Sequence, residues 1–263
     1  MPSAGSEPNG RLPARAAKCA RTLDRWGRPG PTHVPVAPAS ARLVDVASIV
    51  LFDLDNTLVD RQGAFVRWCA SFVIERDLPV DALEALVQFD GDGFASREDV
   101  FSCLKEAYDM PDSVESLVDV YRSSYFDFFA PDEDALSHLR RLRRQHIRVG
   151  IVTNGPPTQL EKLKRTGLLD VIDGYCISDE IGVAKPNPEI FEEAVRRCGG
   201  ISLSAGPAWM VGDTAEVDIA GGLNAGMRTI WIRRGRAWPI EEYAPELVAD
   251  AIGEVADYVI ARS

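Results

Sequence analysis

Five short apolar segments recur along the chain, and their arrangement constrains the fold more than any other feature of the sequence. Each has four or five residues, and they occupy residues 48–52, 148–152, 174–177, 208–211 and 229–232. Continuous apolar runs of this length are typical of strands that are buried on both faces of a parallel sheet. The chain is therefore expected to form a parallel sheet that is covered on both sides.

Segments with helical periodicity lie between these apolar runs. They cover residues 134–145, 158–166, 188–198 and 217–225. Gly167 and Gly199 directly follow two of them, at the position where helix ends favour glycine. A short strand at 247–249 and a helix from Gly253 are expected to complete the domain. Because alternating strands and helices indicate βαβ units with right-handed crossovers, we predict an α/β fold with a Rossmann-like, doubly wound parallel sheet.

One long segment breaks this alternation. Residues 63–129 contain helical patterns but no convincing buried strand, and this insertion of about 65 residues is long enough to form a small domain. Residues 1–44 are rich in Pro, Gly, Ala and Arg, which indicates a disordered extension, although an arginine-rich start is also typical of a transit peptide. The predicted organisation is an extension at 1–44, a core at 45–60 and 130–263, and an all-helical inserted domain at 61–129.

Composition and charge narrow the class of protein. The formal net charge is −11, from 40 acidic and 29 basic residues, and this excess argues against nucleic acid as the main partner. No apolar run approaches the roughly 20 residues that span a bilayer, so we expect no membrane segment. The five cysteines form no CxxC pair, which favours free thiols and a reducing compartment such as the cytoplasm. The sequence leaves the oligomeric state open.

Polar residues follow the predicted strands at the points where the strands end. In an open α/β sheet the carboxyl ends of the parallel strands lie at one edge, and ligands bind there. We therefore expect these polar side chains to converge at that edge. In chain order they are Asp53, Asp55, Thr153, Asn154, Lys185 and Asp213, with Asp218 five residues further on.

Several carboxylates at one edge would repel one another unless a cation lies between them. Oxygen ligands, with a phosphoryl oxygen among them, suit Mg²⁺, which would also offset the repulsion between an anionic substrate and the carboxylates. Lys185 would supply a second positive charge, and Thr153 and the amide of Asn154 would bind phosphoryl oxygens. These residues therefore predict a magnesium site that binds a small phosphorylated metabolite.

Four motifs of a known family appear in order along the chain: DxDxT, a Ser or Thr at a strand end, a Lys, and GDxxxxD. The matching residues are Asp53, Asp55 and Thr57; Thr153; Lys185; and Gly212, Asp213 and Asp218. By these motifs the chain resembles the haloacid dehalogenase-like hydrolase superfamily, specifically its phosphatase branch, over about residues 47–261. The helical insertion stands where this family carries its C1 cap.

The resemblance implies a role for each matched residue. Asp53 would attack phosphorus and form an aspartyl-phosphate, while Asp55 would protonate the leaving alkoxide and then activate water. The Asp53 carboxylate, the Asp55 backbone carbonyl and Asp213 would hold Mg²⁺, and Asp218 would bind the waters of the metal or orient Lys185. Because a halide leaving group needs no proton, an aspartate at position 55 favours a phosphatase over a dehalogenase.

The expected activity is hydrolysis of a small phosphate monoester, such as a sugar phosphate, phosphoglycolate or a nucleoside monophosphate. One alternative is a phosphomutase, which would return the phosphoryl group from Asp53 to a re-bound product. Another is a binding protein on the same scaffold that lacks activity. The cap is expected to close over the site and exclude water, and its candidate substrate contacts are Arg61, Arg67 and Arg97.

Overall fold

The computed structural model describes residues 48–200, 202–203 and 207–263. The predicted N-terminal extension, residues 1–44, lies outside these described residues. The described residues divide into two compact units: a smaller one of residues 62–128, and a larger one formed by residues 48–61 and 129–263.

The larger unit contains a six-stranded sheet in which every neighbouring pair of strands is parallel. The strands are β1 (Ile49–Phe52), β2 (Arg148–Thr153), β3 (Gly174–Ile177), β4 (Ala208–Gly212), β5 (Arg228–Ile232) and β6 (Leu247–Ala249). Their order in the sheet is β3-β2-β1-β4-β5-β6. The predicted fold class, a doubly wound parallel sheet, is confirmed. Strand order reverses between β1 and β4, which is where ligands bind in such sheets.

Strand β1 lies at the centre of the sheet, and all four of its residues are buried. Phe52 pairs with Ile151 of β2 on one side and with Val211 of β4 on the other. Immediately beyond Phe52, the backbone N–H of Asp53 donates to the carbonyl of Val211 at 2.8 Å. The carboxyl ends of these three strands are therefore adjacent, and Asp53 is fixed between the other two.

The smaller unit is helical. Its helices are α1 (Arg61–Glu75), whose first residue belongs to the larger unit, α2 (Asp81–Asp90), α3 (Arg97–Tyr108) and α4 (Val114–Ser124). Ser96 and Ser113 cap the N-termini of α3 and α4, each accepting a hydrogen bond from the backbone N–H three residues on. Aromatic rings form its core: the ring of Trp68 lies 4.9 Å from that of Phe72 and 5.1 Å from that of Tyr121.

Six helices lie in the described part of the larger unit. They are α5 (Glu133–Arg144), α6 (Gln159–Arg165), α7 (Ser178–Ile181), α8 (Pro188–Arg197), α9 (Ala220–Asn224) and α10 (Ile252–Ile260). Three of the predicted helices, at 134–145, 158–166 and 188–198, correspond to α5, α6 and α8 within one residue at each end. The single turn α7 is too short to produce a periodic sequence pattern.

The fourth predicted helix, at 217–225, differs from its prediction at its start. A π-helical turn, Ala215–Ile219, precedes α9. This wider turn directs the carboxylate of Asp218 back to the backbone N–H of Thr214, which donates to it at 2.9 Å. The same carboxylate packs against Gly212, where an added Cβ would lie 2.5 Å from the Cβ of Asp218. The glycine of the GDxxxxD motif thus leaves room for its final aspartate.

The sequence also predicts that the chain has no membrane segment and that its cysteines are buried thiols. Among the described residues, no helix is both long and apolar enough to cross a bilayer. Cys69, Cys176 and Cys198 are buried thiols that form no disulfide, as expected.

Candidate active site

A buried lysine joins two aspartates at the carboxyl ends of β1 and β4. The Lys185 Nζ lies 2.6 Å from Oδ1 of Asp53 and 2.8 Å from Oδ1 of Asp218. All three side chains are at least nine-tenths buried, so solvent screens their charges little. Burial alone would lower the pKa of Lys185, but the Asp218 and Asp53 carboxylates raise it above its usual value. Lys185 is therefore held as a cation between two acids.

The loop that carries Lys185 is held by Asn154. The side-chain amide of Asn154 accepts a hydrogen bond from the backbone N–H of Lys185 at 2.8 Å and donates to its carbonyl at 2.9 Å. Both polar atoms of this amide are thus engaged with the backbone of Lys185. Just beyond, Asn187 caps α8 by accepting from the N–H of Glu189 at 3.0 Å. These bonds fix the position from which the lysine side chain reaches Asp53.

Asp213 follows β4 and is held by two arginines and a tryptophan. Its Oδ2 lies 2.9 Å from Nη1 of Arg234 and 3.0 Å from Nη2 of Arg236. Its carbonyl accepts from Nη2 of Arg236 at 2.6 Å and from Nε1 of Trp231 at 2.7 Å. The carboxylate and the backbone of this aspartate are therefore both fixed.

Asp53, Asp213 and Asp218 place carboxylate oxygens within 4.8 Å of one another. Burial raises the pKa of Asp53 to about 8, with Lys185 opposing the rise and Asp218 adding to it. Burial also raises the pKa of Asp213, as does the Asp218 carboxylate. Two of these three crowded acids, Asp53 and Asp213, have raised pKa values, which indicates that too little positive charge surrounds them. An oxygen-only donor set of this kind fits a hard divalent cation.

Asp55 lies in a different environment from Asp53. Its two carboxylate oxygens are each 2.6 Å from Nζ of Lys162, and Oδ2 also accepts from Nε2 of Gln159 at 2.9 Å. Although burial acts in the opposite direction, the Lys162 ammonium lowers the pKa of Asp55 below its usual value. The two aspartates of the first motif therefore differ in their proton affinity: Asp53 holds a proton more tightly, and Asp55 less tightly, than an ordinary aspartate.

The hydroxyls of the two motif threonines are both shielded from solvent. Thr153, at the end of β2, accepts a hydrogen bond on Oγ1 from Nε2 of Gln159 at 2.9 Å. The buried Oγ1 of Thr57 has no hydrogen-bond partner within the described part of the chain. Thr57 lies in a tight loop where the backbone N–H groups of Asn56 and Arg61 both donate to the carbonyl of Val59 at 2.8 Å.

The three candidate arginines of the cap have different surroundings. Arg61 is buried, and its charge contributes to lowering the pKa of Asp55. Arg67 belongs to the smaller unit, where it donates to the carbonyl of Phe128 at 3.2 Å. Arg97, in the same unit, lies 2.6 Å from the buried carboxylate of Asp90. Of the three, Arg61 alone belongs to the unit that contains the aspartates, and the substrate contacts of all three stay predictions.

Four side chains that sequence reasoning did not single out contact the motif residues. Gln159 and Lys162 on α6 contact Asp55, and Gln159 also contacts Thr153. Their spacing of three residues places them on one face of the helix that follows Thr153, but a lysine and a glutamine at this spacing do not by themselves indicate a site. Arg234 and Arg236, which contact Asp213, stand just after β5. Applying the strand-end argument to that strand as well would have identified them.

The Lys185→Met variant tests the central ion pair. Removing one partner of a buried ionic cluster costs about 3–5 kcal/mol of unfolding free energy, because Asp53 and Asp218 lose their counter-charge. Without the ammonium that opposes the rise, the pKa of Asp53 lies above the value of about 8 that it has in the wild type. The folded variant should therefore keep losing stability between about pH 8 and about pH 10, where Asp53 of the wild type is already ionised and its contribution has levelled off, measured by urea unfolding.

A matched control for this variant is Lys164→Met, because Lys164 is more than half exposed and pairs only loosely with Glu161, at 3.8 Å. We expect its stability to stay within about 0.5 kcal/mol of the wild type. Equal stability of Lys185→Met and Lys164→Met across the pH range would contradict the central role of the buried lysine.

Comparison with known proteins identifies relatives over most of the chain. A glyceraldehyde 3-phosphate phosphatase of Pyrococcus abyssi is 34% identical over 201 residues, which cover 72% of this chain and 82% of that protein. Pyrimidine 5'-nucleotidase YjjG of Escherichia coli is 38% identical over 140 residues, 53% of this chain and 61% of that protein. The solved structure of the HAD-hydrolase YfnB from Bacillus subtilis covers 82% of this chain and 99% of its own, with a TM-score of 0.64 and 23% identity, which bears on the fold alone.

The family profile described as haloacid dehalogenase-like hydrolase matches residues 47–226. This match covers more than half of the chain and contains the buried cluster of Asp53, Lys185, Asp213 and Asp218. The family resemblance found in the motifs is therefore confirmed over residues 47–226, which include strands β1 to β4. The chain belongs to the haloacid dehalogenase-like hydrolase family.

Proposed function

We propose that this hydrolase is a magnesium-dependent phosphatase that cleaves a small phosphate monoester through an aspartyl-phosphate on Asp53. The observation that carries the proposal is the buried cluster in which Lys185 lies 2.6 Å from Asp53, with Asp213 and Asp218 beside it. The carboxyl edge of the sheet thus carries a nucleophilic carboxylate, a fixed cation and further acids whose charge is not fully compensated. This combination suits the transfer of an anionic phosphoryl group.

The residues that would hold Mg²⁺ are the carboxylate of Asp53, the backbone carbonyl of Asp55 and the carboxylate of Asp213. When bound, the cation would offset the repulsion between the phosphoryl oxygens and the Asp53 carboxylate and would polarise the phosphorus. Asp218 has a different task, because its two oxygens accept from Lys185 and from the backbone N–H of Thr214. It therefore positions Lys185 and the turn that follows Asp213.

In the first step an Asp53 oxygen attacks phosphorus, the ester P–O bond breaks, and protonated Asp55 gives its proton to the leaving alkoxide. In the second step water attacks the aspartyl-phosphate and gives a proton to the Asp55 carboxylate. The bond between phosphorus and Asp53 breaks, inorganic phosphate leaves, and Asp55 is again protonated for the next cycle. Its contact with Lys162 supports the ionised form, which the second step requires.

Thr153 and Lys185 are the proposed contacts for the phosphoryl oxygens. Both lie at the strand edge beside Asp53, and Lys185 carries the positive charge that these oxygens need as charge spreads over them. Asn154 contributes through its two hydrogen bonds to the backbone of Lys185, so we assign its side-chain amide the task of fixing the lysine loop.

An alkyl or sugar phosphate is the substrate class that fits best. An acid at Asp55 is needed when the leaving group is a basic alkoxide. The relatives named above act, by their names, on a triose phosphate and on pyrimidine nucleotides, which are both small phosphate monoesters. Because these two relatives act on different substrates, the family's shared catalytic residues can hydrolyse more than one kind of small phosphate monoester.

Hydrolysis of an aryl phosphate and of a panel of metabolite phosphates tests the proposal. Turnover should require Mg²⁺, cease with EDTA, and fall by at least about 10³-fold in Asp53→Asn, which lacks the nucleophilic carboxylate. Asp257→Asn is a suitable control, because this aspartate lies on α10 in a surface ion pair with Arg141. An active Asp53→Asn variant, or a wild type that hydrolyses no phosphate ester, would refute the proposal.

Metal binding should depend on pH in a defined direction. Because the pKa of Asp53 is raised to about 8, most of this carboxyl is protonated near pH 7, and a cation that binds it must displace the proton. The affinity for Mg²⁺ should therefore increase as pH rises from about 6 to about 8, with proton release measurable by calorimetry in buffers of different ionisation enthalpy. Asp53→Asn should release fewer protons than the wild type, because only Asp213 of the two carboxylate ligands then keeps a raised pKa, and a wild-type affinity that is independent of pH would contradict this assignment.

A further inference from the structure

Two buried side chains on α6, Gln159 and Lys162, contact two different members of the proposed machinery. Nε2 of Gln159 lies 2.9 Å from Oδ2 of Asp55 and 2.9 Å from Oγ1 of Thr153. Nζ of Lys162 lies 2.6 Å from each carboxylate oxygen of Asp55. Gln159 therefore connects the Thr153 hydroxyl at the end of β2 to the Asp55 carboxylate, which Lys162 also holds.

The burial of Lys162 is costly unless a function or a strong partner compensates for it. Its side chain is 7% exposed, whereas that of Asp55 is 27% exposed, so the cation lies behind the carboxylate and away from solvent. The ring of Phe129 lies 5.3 Å from its Nζ and covers it on one side. An ammonium buried in this way costs several kcal/mol of desolvation, which a single ion pair often fails to recover. Stability alone is therefore a poor explanation for a lysine at this position.

Gln159 leaves the hydroxyl of Thr153 available as a hydrogen-bond donor. A side-chain amide nitrogen has two hydrogens, and those of Gln159 are directed at Asp55 and at Thr153. Since Oγ1 of Thr153 accepts one of them, its own hydrogen is left to donate. The remaining contact of that hydroxyl within the described residues, to the carbonyl of Asn154, is long at 3.4 Å. The hydroxyl hydrogen can therefore turn to a phosphoryl oxygen.

We propose that Gln159 and Lys162 form a positioning pair that fixes Asp55 and Thr153 for catalysis, an inference that rests on the proposed phosphatase activity. Lys162 holds the carboxylate of Asp55 by both oxygens and so sets its direction relative to the leaving group. Gln159 holds the same carboxylate and orients the Thr153 hydroxyl toward the phosphoryl group. Neither residue touches the reacting atoms, and each acts through the side chain that it holds.

The two residues should affect different substrates differently. Asp55 is needed to protonate a basic alkoxide but not a weakly basic aryl oxide such as 2,4-dinitrophenolate, which leaves without a proton. Thr153 binds the phosphoryl group, which every substrate carries. A defect in Lys162 should therefore appear with alkyl phosphates only, whereas a defect in Gln159, which contacts both Asp55 and Thr153, should appear with both classes and be larger with alkyl phosphates. A merely structural role would lower activity equally for both substrates.

The experiment compares Lys162→Met, Gln159→Met and the control Lys164→Met, an exposed lysine on the same helix. The kcat/KM is measured with Mg²⁺ for 2,4-dinitrophenyl phosphate and for the best alkyl phosphate from the metabolite panel; this quantity reports the steps up to departure of the leaving group. In Lys162→Met we expect a loss of about 10²-fold with the alkyl phosphate and less than about threefold with the aryl phosphate. Gln159→Met should lose activity with both, and Lys164→Met with neither.

Lys162→Arg provides the conservative variant, because a guanidinium also donates to both oxygens of a carboxylate, and it should restore most of the lost alkyl phosphate activity. Equal losses for the two substrates in Lys162→Met would overturn the proposal. If that variant does not fold, as judged by circular dichroism, Gln159→Met decides: wild-type kcat/KM with both substrates would overturn it equally. A wild type that hydrolyses neither substrate would instead refute the phosphatase activity itself.

Discussion

The contact of Lys185 with Asp53 and Asp218 is the interaction on which the rest of this site depends. It places a cation at the centre of a buried group of acids, 2.6 Å from the proposed nucleophile. Without it, the pKa of Asp53, which burial already raises to about 8, would rise further, and a neutral Asp53 cannot attack phosphorus. The positive charge of Lys185, which stabilises the buried acids in the folded chain, can therefore also bind the phosphoryl group.

The sheet brings these groups together from distant parts of the chain. Strands β1, β2 and β4 end side by side, so residues separated by more than 150 positions, such as Asp53 and Asp213, meet at one edge. Each side chain is then fixed by its own partners: Asn154 holds the Lys185 loop, and the π-helical turn at Ala215–Ile219 returns Asp218 to Thr214. Preorganisation of this kind lets charges act on the transition state without reorganising first.

Much of this arrangement was predictable from the sequence because both signals behind it are local. Uninterrupted apolar runs identified the strands, and the polar residues directly after them, such as Asp53 and Thr153, identified the edge. Lys162 and Gln159 were not predictable, since a lysine and a glutamine in a helix are usually solvated and their contacts with Asp55 are formed by tertiary packing. The π-helical turn was also missed, because it depends on the fit of Asp218 against Gly212 and not on periodicity.

The most direct test of the central claim is to trap the phosphorylated enzyme. The protein is mixed with Mg²⁺ and ³²P-labelled 2,4-dinitrophenyl phosphate, whose leaving group departs without a proton from Asp55, and is then quenched in acid within one turnover, digested and mapped. The account predicts a hydroxylamine-labile label on the peptide that contains Asp53, which accumulates in Asp55→Asn because water is no longer activated. Substrate hydrolysis without any labelled protein, or a label on a residue other than Asp53, would contradict it.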